Sequence, residues 1–221
     1  ILSNKIRKNT LKSKLMRPLK SGDIFGNWAT IFLPIEKDES INYDKLSVQI
    51  DFLISMKVNG VYSNGTAGEF YNQTEEEFDT INSILAEKCN AASQVFQIGC
   101  NHTSPKLTLE RIKRAVQLRP GAIQVILPDW FPPSSLEIIR FLGVVCEAAG
   151  EIGIVLYNPP HAKIRLIPED YRKIKYAGIS LVGCKTAGGG ENWYAEMKRI
   201  EEFSIFDQGS RLATGRKLGA H

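Results

Sequence analysis

The sequence predicts an α/β protein that folds as a (β/α)8 TIM barrel, and three observations support this fold class. Short apolar runs recur along the 221 residues, a helical pattern follows each run, and the starts of the runs lie 24 to 36 residues apart. This spacing is typical of a unit of one strand and one helix. The runs are almost continuously apolar, as expected of parallel strands that are covered on both faces.

Seven of these runs are predicted strands, and they span residues 28–35, 58–63, 94–100, 122–128, 153–158, 179–185 and 203–207. An open doubly wound sheet is the alternative, but it usually carries a glycine-rich nucleotide loop after its first strand. The first run here leads into residues 34–38 without a glycine, which favours the barrel. Only one helical stretch follows the seventh run. We therefore expect a barrel domain over residues 26–221 that is C-terminally incomplete, with the eighth strand and the C-terminal helices absent from this chain.

The helices between the strands have recognisable starts. Thr74 and Glu77 form a capping-box pattern, in which each side chain bonds the backbone amide of the other residue. Ser104 followed by proline is a typical helix start, and Pro168 is expected to open another helix. An apolar stripe at helical spacing predicts one buried face on the first helix, and it consists of Leu46, Ile50, Leu53 and Ile54.

Charge is concentrated at the N-terminus. The chain has a net charge of +4, and residues 1–20 carry seven Lys or Arg residues and no acidic residue. Residues 1–25 are therefore predicted to be a basic arm, which could bind nucleic acid or lead into an organelle. We favour a solvated tail or leftover leader sequence, because no aromatic side chains alternate with the charges to stack on bases. The chain does not begin with Met, and Met16 is a candidate start.

Several classes of protein are excluded or disfavoured by composition. The chain is 43% hydrophobic and 24% charged, which is ordinary for a globular protein, and no apolar run is long enough to span a membrane. Its four cysteines are scattered without a CxxC pair, and we interpret them as reduced thiols of a cytoplasmic protein. His102 and His161 lack partners at ligand spacing, so we expect no metal site.

Lys185 is the sharpest candidate for chemistry. It ends the sixth apolar run, and functional residues of a TIM barrel lie at the C-terminal ends of its strands. Burial would lower the pKa of its amine, and a neutral amine can attack a ketone to form a Schiff base. The alternative is a lysine whose apolar stem is buried while its charge reaches solvent.

Two further candidates follow other strands. Tyr157 ends the fifth run, where its phenol could relay a proton, although a tyrosine that only packs at the rim is the commoner case. The turn at residues 65–69 offers backbone amides and the Thr66 hydroxyl to a carboxylate. The alternative to a carboxylate site is a tight turn that needs glycine only for its backbone conformation.

Three motifs in this order resemble the dihydrodipicolinate synthase and N-acetylneuraminate lyase family. They are Gly65-Thr-Ala-Gly-Glu69, Tyr157-Asn-Pro-Pro160 and Val182-Gly-Cys-Lys185, and each follows the strand expected of it. The resemblance runs from about Gly26 to the C-terminus. It implies a (β/α)8 barrel with a C-terminal helical extension, usually a homodimer or homotetramer, that acts on pyruvate or another 2-oxo acid through a lysine Schiff base without a cofactor.

The resemblance also implies roles for individual residues. Lys185 is similar to the Schiff-base lysine, and Tyr157 to the phenol that shuttles protons during imine formation and during carbon–carbon bond making or breaking. Gly65, Thr66 and Ala67 resemble the loop that holds the 2-oxo acid carboxylate. Asp207 or Gln208 stands where the family makes a backbone contact on the seventh strand.

The chain departs from the synthase pattern at three positions. Ala67 replaces a second hydroxyl residue, Trp130 replaces a tyrosine of the proton relay, and Ala162 replaces an arginine that holds the aldehyde's carboxylate. His161 and Lys163 flank Ala162. These changes keep the pyruvate half of the site and alter the half for the second substrate.

The expected function is therefore a class I lyase that joins or cleaves a 2-oxo acid and an aldehyde or sugar acid, or dehydrates a sugar acid. One alternative is a 4-hydroxy-tetrahydrodipicolinate synthase proper. Another, of a different class, is a non-catalytic protein that binds a 2-oxo acid. We expect small-molecule partners and self-association, and neither nucleic acid nor membrane as a partner.

Overall fold

The computed structural model describes residues 16–128, 130–200 and 202–221, and these residues form a curled parallel sheet wrapped by helices. Within these ranges the sheet has seven strands in chain order. They are β1 (Trp28–Thr30), β2 (Gly60–Tyr62), β3 (Phe96–Gly99), β4 (Ala122–Val125), β5 (Gly153–Asn158), β6 (Leu181–Thr186) and β7 (Ser204–Asp207). Every neighbouring pair is parallel, so the α/β class with a parallel sheet is confirmed.

Each predicted apolar run overlaps one of these strands; β6 extends one residue beyond its run, to Thr186, and the first run was predicted too long. β1 ends at Thr30, although the Ile31 N–H still donates to the Tyr62 carbonyl. The chain then turns back on itself, because Ile35 forms an antiparallel bridge with Ile41. Residues 31–35 thus lie in a folded-back loop rather than in the sheet, with Ile31 fully buried and with Phe32 and Ile35 exposed.

Helices connect the strands on the outer face of the sheet. They are α1 (Tyr43–Ser55), α2 (Glu75–Ala92), α3 (Pro105–Ala115), α4 (Ser135–Ala149), α5 (Pro168–Tyr176), α6 (Glu191–Met197) and α7 (Leu212–Leu218). The predicted starts at Thr74, Ser104 and Pro168 are confirmed. Ser134 and Glu137 form a second capping box at the start of α4. None of the helices in the described ranges is long and apolar enough to cross a bilayer.

The main core lies between the sheet and the helices. Strand residues that point outward, such as Val61, Ile98 and Ile123, are fully buried against the helices, and Leu46 and Ile50 of the predicted stripe join them. Leu53 and Ile54 of the same stripe are partly buried against this core. The continuous apolar character of the strands follows from this cover.

A second cluster fills the inside of the sheet near the strand starts. Leu19 and Ile24 are buried there with Ala122 and Val155, and the Leu19 N–H donates to the Gly121 carbonyl. The segment before β1 thus closes the end of the sheet opposite the carboxyl ends of the strands. Residues 1–15, which carry most of the basic charge of the predicted arm, lie outside the described residues.

The first and last strands approach each other without forming a ladder between them in the described part of the chain. The rings of Trp28 on β1 and Phe206 on β7 meet edge to face, with centroids 6.1 Å apart. Beside them, the His221 N–H donates to the Ile205 carbonyl at 2.9 Å. The sheet therefore curls almost to closure, and aromatic side chains span the distance between its edges.

Candidate active site

A cavity of about 520 Å³ opens at the carboxyl ends of the strands. The strand register explains which side chains meet there, because Tyr157 pairs with Lys185 and Lys185 pairs with Phe206. Paired residues of neighbouring parallel strands point to the same face of a sheet. Among the residues that line the cavity are Lys185, Tyr157, Tyr62, Thr66, Ala67 and Asp207.

The Lys185 amine is held between two aromatic rings. Its Nζ lies 4.2 Å from the ring centroid of Tyr157 and 4.7 Å from that of Tyr62. It also donates a hydrogen bond of 3.1 Å to the Tyr62 hydroxyl. The side chain is half-buried, so its amine reaches the cavity while its stem packs on the rings.

Tyr157 is joined to the turn after β2 rather than to the amine. Its hydroxyl and the Thr66 hydroxyl share a hydrogen bond of 3.1 Å, and its side chain is only 5% exposed. The sequence separation of these two residues is 91 positions. The turn at residues 65–69 and the motif that begins at Tyr157, which were predicted to act in one site, are therefore in direct contact.

The turn at residues 65–69 needs a small residue at Gly65 for space rather than for backbone conformation. Gly65 has a φ of −73°, which any residue adopts, whereas Asn64 and Glu69 take the left-handed conformation at +53° and +51°. A methyl group at Gly65 would lie 3.2 Å from the Tyr62 ring and 3.4 Å from Lys185 Nζ. The backbone of the turn thus packs directly against the amine and its aromatic neighbour.

A buried amide network fixes this turn. Asn64 donates to the Gly99 carbonyl at 3.1 Å, and Asn101 donates to the Asn64 carbonyl at 2.6 Å. Gln73 donates to the Asn64 side-chain oxygen and to the Gly68 carbonyl. Because Asn64 and Asn101 are almost fully buried, the turn is held by bonds that water does not compete for.

The side chains of the two residues that flank Ala162 lie in different surroundings. His161 lines the cavity, whereas Lys163 donates to the Trp130 carbonyl and places its amine 5.3 Å from the Trp130 ring centroid. Lys163 therefore links the loops after β4 and β5. Trp130 itself is 74% exposed.

Asp207 borders the cavity, but its side chain belongs to the outer face of the sheet. It is in register with Thr186, one residue beyond the pair of Lys185 and Phe206. Its carboxylate accepts a hydrogen bond from the Tyr194 hydroxyl of α6. Burial raises the pKa of Tyr194 to about 12, and the Asp207 carboxylate adds to this rise. Gln208 also lines the cavity.

Sequence reasoning missed Tyr62, together with Gln97 and Gln124, which line the same cavity. The signal for Tyr62 was available, because it is a polar side chain one residue from the end of a predicted apolar strand. For the two glutamines the signal was a polar residue inside an apolar run. Among the described residues, no group of three or more His, Cys, Asp or Glu side chains is placed to hold a metal ion.

Comparisons with known proteins show the family of this chain. A family model described as the dihydrodipicolinate synthetase family matches residues 24–208. An uncharacterised DapA-like lyase of Pyrococcus furiosus is 26% identical over 179 residues, which cover 78% of this chain and 58% of that protein. A 4-hydroxy-tetrahydrodipicolinate synthase of Thermomicrobium roseum is 25% identical over 150 residues, which cover 67% of this chain and 49% of that protein.

The fold agrees with solved structures. The wild-type sialic acid aldolase of Ruminococcus gnavus superposes with a TM-score of 0.80 at 20% identity, over 89% of this chain and 66% of that one. The chain thus spans 49% to 58% of the length of the two curated relatives and about two thirds of this structural neighbour.

Proposed function

The chain belongs to the dihydrodipicolinate synthetase family, and from this premise we propose that it is a class I lyase that forms a Schiff base between Lys185 and pyruvate or another 2-oxo acid. One observation carries the proposal. The Lys185 amine reaches a cavity at the carboxyl ends of the strands, between two tyrosine rings and beside the Gly65–Thr66 turn. A nucleophile, hydroxyl groups and backbone amides therefore surround one space that a small keto acid can enter.

The reaction begins with binding of the carboxylate. The amides and the hydroxyl of the turn at Gly65, Thr66 and Ala67 hold it, which places the ketone carbon at Lys185. The neutral amine attacks this carbon, and loss of water gives a protonated imine.

The protonated imine is an electron sink. A bond from the adjacent carbon, to hydrogen or to carbon, can break and leave an enamine. The enamine adds to an aldehyde in the synthetic direction, or takes up a proton after cleavage. Tyr157, through its bond with Thr66, passes protons as water leaves in the first stage and again at this carbon. The scheme uses no metal and no dissociable cofactor.

The second substrate is proposed to differ from that of the synthase. Ala162 carries no charge for a carboxylate, and Lys163 beside it contacts Trp130 instead. Losing a charge-assisted contact typically costs about 1.5–3 kcal/mol, which is enough to change substrate preference. His161 lines the cavity at this point, and we propose an aldehyde or sugar acid as the partner of the 2-oxo acid.

The name of the Thermomicrobium roseum relative favours a second candidate, 4-hydroxy-tetrahydrodipicolinate synthase proper. Pyruvate consumption with a panel of aldehydes separates the two candidates. Turnover with the aspartate-derived semialdehyde but not with sugar aldehydes would favour the synthase. Binding of pyruvate without imine formation would instead indicate a non-catalytic 2-oxo-acid-binding protein.

The complete barrel is part of the proposal. We propose that an eighth strand, with the C-terminal helices after it, fills the space between β7 and β1, where His221 already bonds to Ile205. We also propose that the active form is a homodimer or homotetramer in the cytoplasm.

Borohydride trapping tests the central step. Incubation with pyruvate and borohydride should leave a reduced adduct that peptide mass spectrometry locates on Lys185. Lys185→Ala should lose the adduct, whereas Lys106→Ala, which removes an exposed lysine of α3, should keep it. An adduct that persists unchanged in Lys185→Ala would refute the assignment.

A further inference from the structure

The hydroxyl that contacts the reacting nitrogen is that of Tyr62. Lys185 Nζ donates to it at 3.1 Å, whereas the Tyr157 hydroxyl is bonded to Thr66. Nζ faces the ring of Tyr157, at 4.2 Å from the centroid. The two tyrosines therefore offer different groups to the amine, a hydroxyl from Tyr62 and an aromatic face from Tyr157.

We propose that Tyr62 is a catalytic residue that transfers a proton from Lys185 Nζ to the substrate oxygen as the carbinolamine forms. This inference rests on the proposed function, since it concerns the first covalent step of the same reaction. It adds Tyr62 at the nitrogen during the first attack and leaves the loss of water and the carbon end of the reaction to the Tyr157–Thr66 pair.

The step balances in electrons, protons and charge. The nitrogen lone pair forms the bond to the ketone carbon, and the electron pair of the carbonyl double bond moves to oxygen. The product has a positive nitrogen with a proton to lose and a negative oxygen on the adjacent carbon. Tyr62 accepts the nitrogen proton and releases its own hydroxyl proton to that oxygen, so that both the phenol and the carbinolamine end neutral. The nitrogen lone pair then expels the oxygen, which leaves as water after taking a proton that Tyr157 passes on from solvent.

The differences from the synthase pattern at Ala67 and Trp130 explain why this chain would need the Tyr62 hydroxyl. Neither side chain has a hydroxyl, so a relay from Tyr157 through the turn has Thr66 as its hydroxyl partner in this chain. Tyr62 supplies a hydroxyl from a different strand, directly at the nitrogen. A phenol placed at hydrogen-bond distance satisfies the geometric requirement for general acid–base catalysis.

The position of Tyr62 is fixed by the fold rather than by the amine. It ends β2, its carbonyl accepts from the Ile31 N–H, and its ring lies against the backbone of Gly65. Replacing it by phenylalanine keeps the ring that packs on Gly65 and faces the amine, and removes only the hydroxyl. The substitution therefore isolates the proposed proton transfer from packing.

The experiment is rapid-quench borohydride trapping of the pyruvate adduct under single-turnover conditions. Tyr62→Phe should slow adduct formation about 100-fold or more, the usual loss when a general acid–base group is removed. The final amount of adduct and the thermal unfolding midpoint should stay near those of the parent chain. The control is Tyr176→Phe, which removes an exposed hydroxyl at the end of α5 and should change nothing.

A second variant excludes a purely structural explanation. Tyr157→Phe should weaken pyruvate binding through the Thr66 turn, whereas Tyr62→Phe should slow adduct formation at saturating pyruvate and leave pyruvate binding near that of the parent chain. Adduct formation in Tyr62→Phe at the parental rate would overturn the role of Tyr62 and leave Lys185 in place. If the parent chain itself forms no adduct with 2-oxo acids, the proposed function and this inference fail together.

Discussion

At the scale of single residues, Gly65 offers a direct test of how tightly the site is packed. Its backbone conformation suits alanine, but the added methyl would crowd the Tyr62 ring at 3.2 Å and Lys185 Nζ at 3.4 Å. We expect Gly65→Ala to slow adduct formation with pyruvate about tenfold to 100-fold, since small displacements of reacting groups have large effects on rate. The test measures the rate of borohydride trapping with pyruvate and the free energy of unfolding in urea.

Gly143→Ala is the matched control for Gly65→Ala. It adds the same methyl in α4, where no atom lies within 4 Å, and should raise the free energy of unfolding by about 0.5–1 kcal/mol without changing the trapping rate. If Gly65→Ala kept the parental rate, the turn would not pack against the amine as described.

Thr66 is the second residue whose contact can be removed cleanly. Thr66→Val keeps the shape of the side chain but leaves the buried Tyr157 hydroxyl without its partner. We expect weaker binding of pyruvate by about 1–3 kcal/mol, measured by titration, because a buried polar group is left unpaired. Thr66→Ser retains the hydroxyl and should bind within a few-fold of the parent. Equal loss in both variants would show that the methyl group matters rather than the hydroxyl.

The residues of the site differ in how far the sequence could predict them. Lys185, Tyr157 and Thr66 stand at strand ends in recognisable motifs, and all three border one cavity. Tyr62 and Lys163 could not be assigned partners, because their contacts depend on which side chains of other loops approach them. The contact of Lys163 with Trp130 joins two irregular loops, for which no periodicity gives a direction.

At the scale of secondary-structure elements, a buried arginine links α2 and α3 to the loops of the site. Arg111 is fully buried, donates to the carbonyls of Phe70 and Asn101, and pairs with Glu75 at 2.8 Å. We expect Arg111→Leu to lower the free energy of unfolding by about 3–5 kcal/mol, because buried carbonyls and a carboxylate lose their donor. Urea unfolding measures this loss.

Arg114 provides the comparison for Arg111. It pairs with the same carboxylate of Glu75 and with Asp79, but its side chain is 35% exposed. Because solvent competes for its bonds, Arg114→Leu should cost about 1 kcal/mol or less. A similar loss in both variants would mean that burial is not what makes Arg111 important.

The same network predicts a dependence of stability on pH. Burial acts to raise the pKa of Glu75, but hydrogen bonds and charges from Arg111 and Arg114 outweigh it, so the pKa lies below its usual value. A carboxyl whose pKa is lower in the folded state contributes stability above its unfolded pKa of about 4.3. This contribution is lost as the pH falls through the folded pKa.

Comparison with Glu75→Gln isolates this carboxyl from all others. The parent chain should be more stable than the variant at pH 7, and the difference should shrink as the pH falls below about 4.3. Urea unfolding of both proteins at pH 7 and at successively lower pH gives the difference directly. A difference that stays constant with pH would contradict the assigned ion pair.

The elements themselves were largely predictable, because their signals are local. Thr74 with Glu77 and Ser104 with Pro105 begin helices wherever they occur, and each predicted apolar run overlaps a strand. The end of β1 was not predictable, since the apolar residues after Thr30 lie in a loop that folds back. Composition alone does not distinguish an apolar loop from a buried strand.

At the scale of the whole molecule, the repeated strand–helix units predicted the parallel order of the strands. They did not predict that the segment before β1 closes the end of the sheet opposite the carboxyl ends of the strands. Leu19 and Ile24 lie in a segment whose basic charge predicts a solvated arm, yet they pack with Ala122 and Val155 from the middle of the chain. Contacts between residues so far apart in the chain leave no local signal in either segment.

The open edges of the sheet give the last prediction. Alternate amides of β1 point away from the sheet, and aromatic contact between Trp28 and Phe206 does not bond them, whereas the Ile205 amide of β7 donates to His221 Nδ1 at 3.1 Å. In the 221-residue chain we expect amides of β1 to exchange with deuterium at least about tenfold faster than those of β4, which is paired on both sides. Exchange should be followed by mass spectrometry at several protein concentrations, because bare edges can also pair between molecules. If β1 amides were as protected from exchange as those of β4 at every dilution, the edge of β1 would be bonded within the chain. The description of an open space between β7 and β1 would then be wrong.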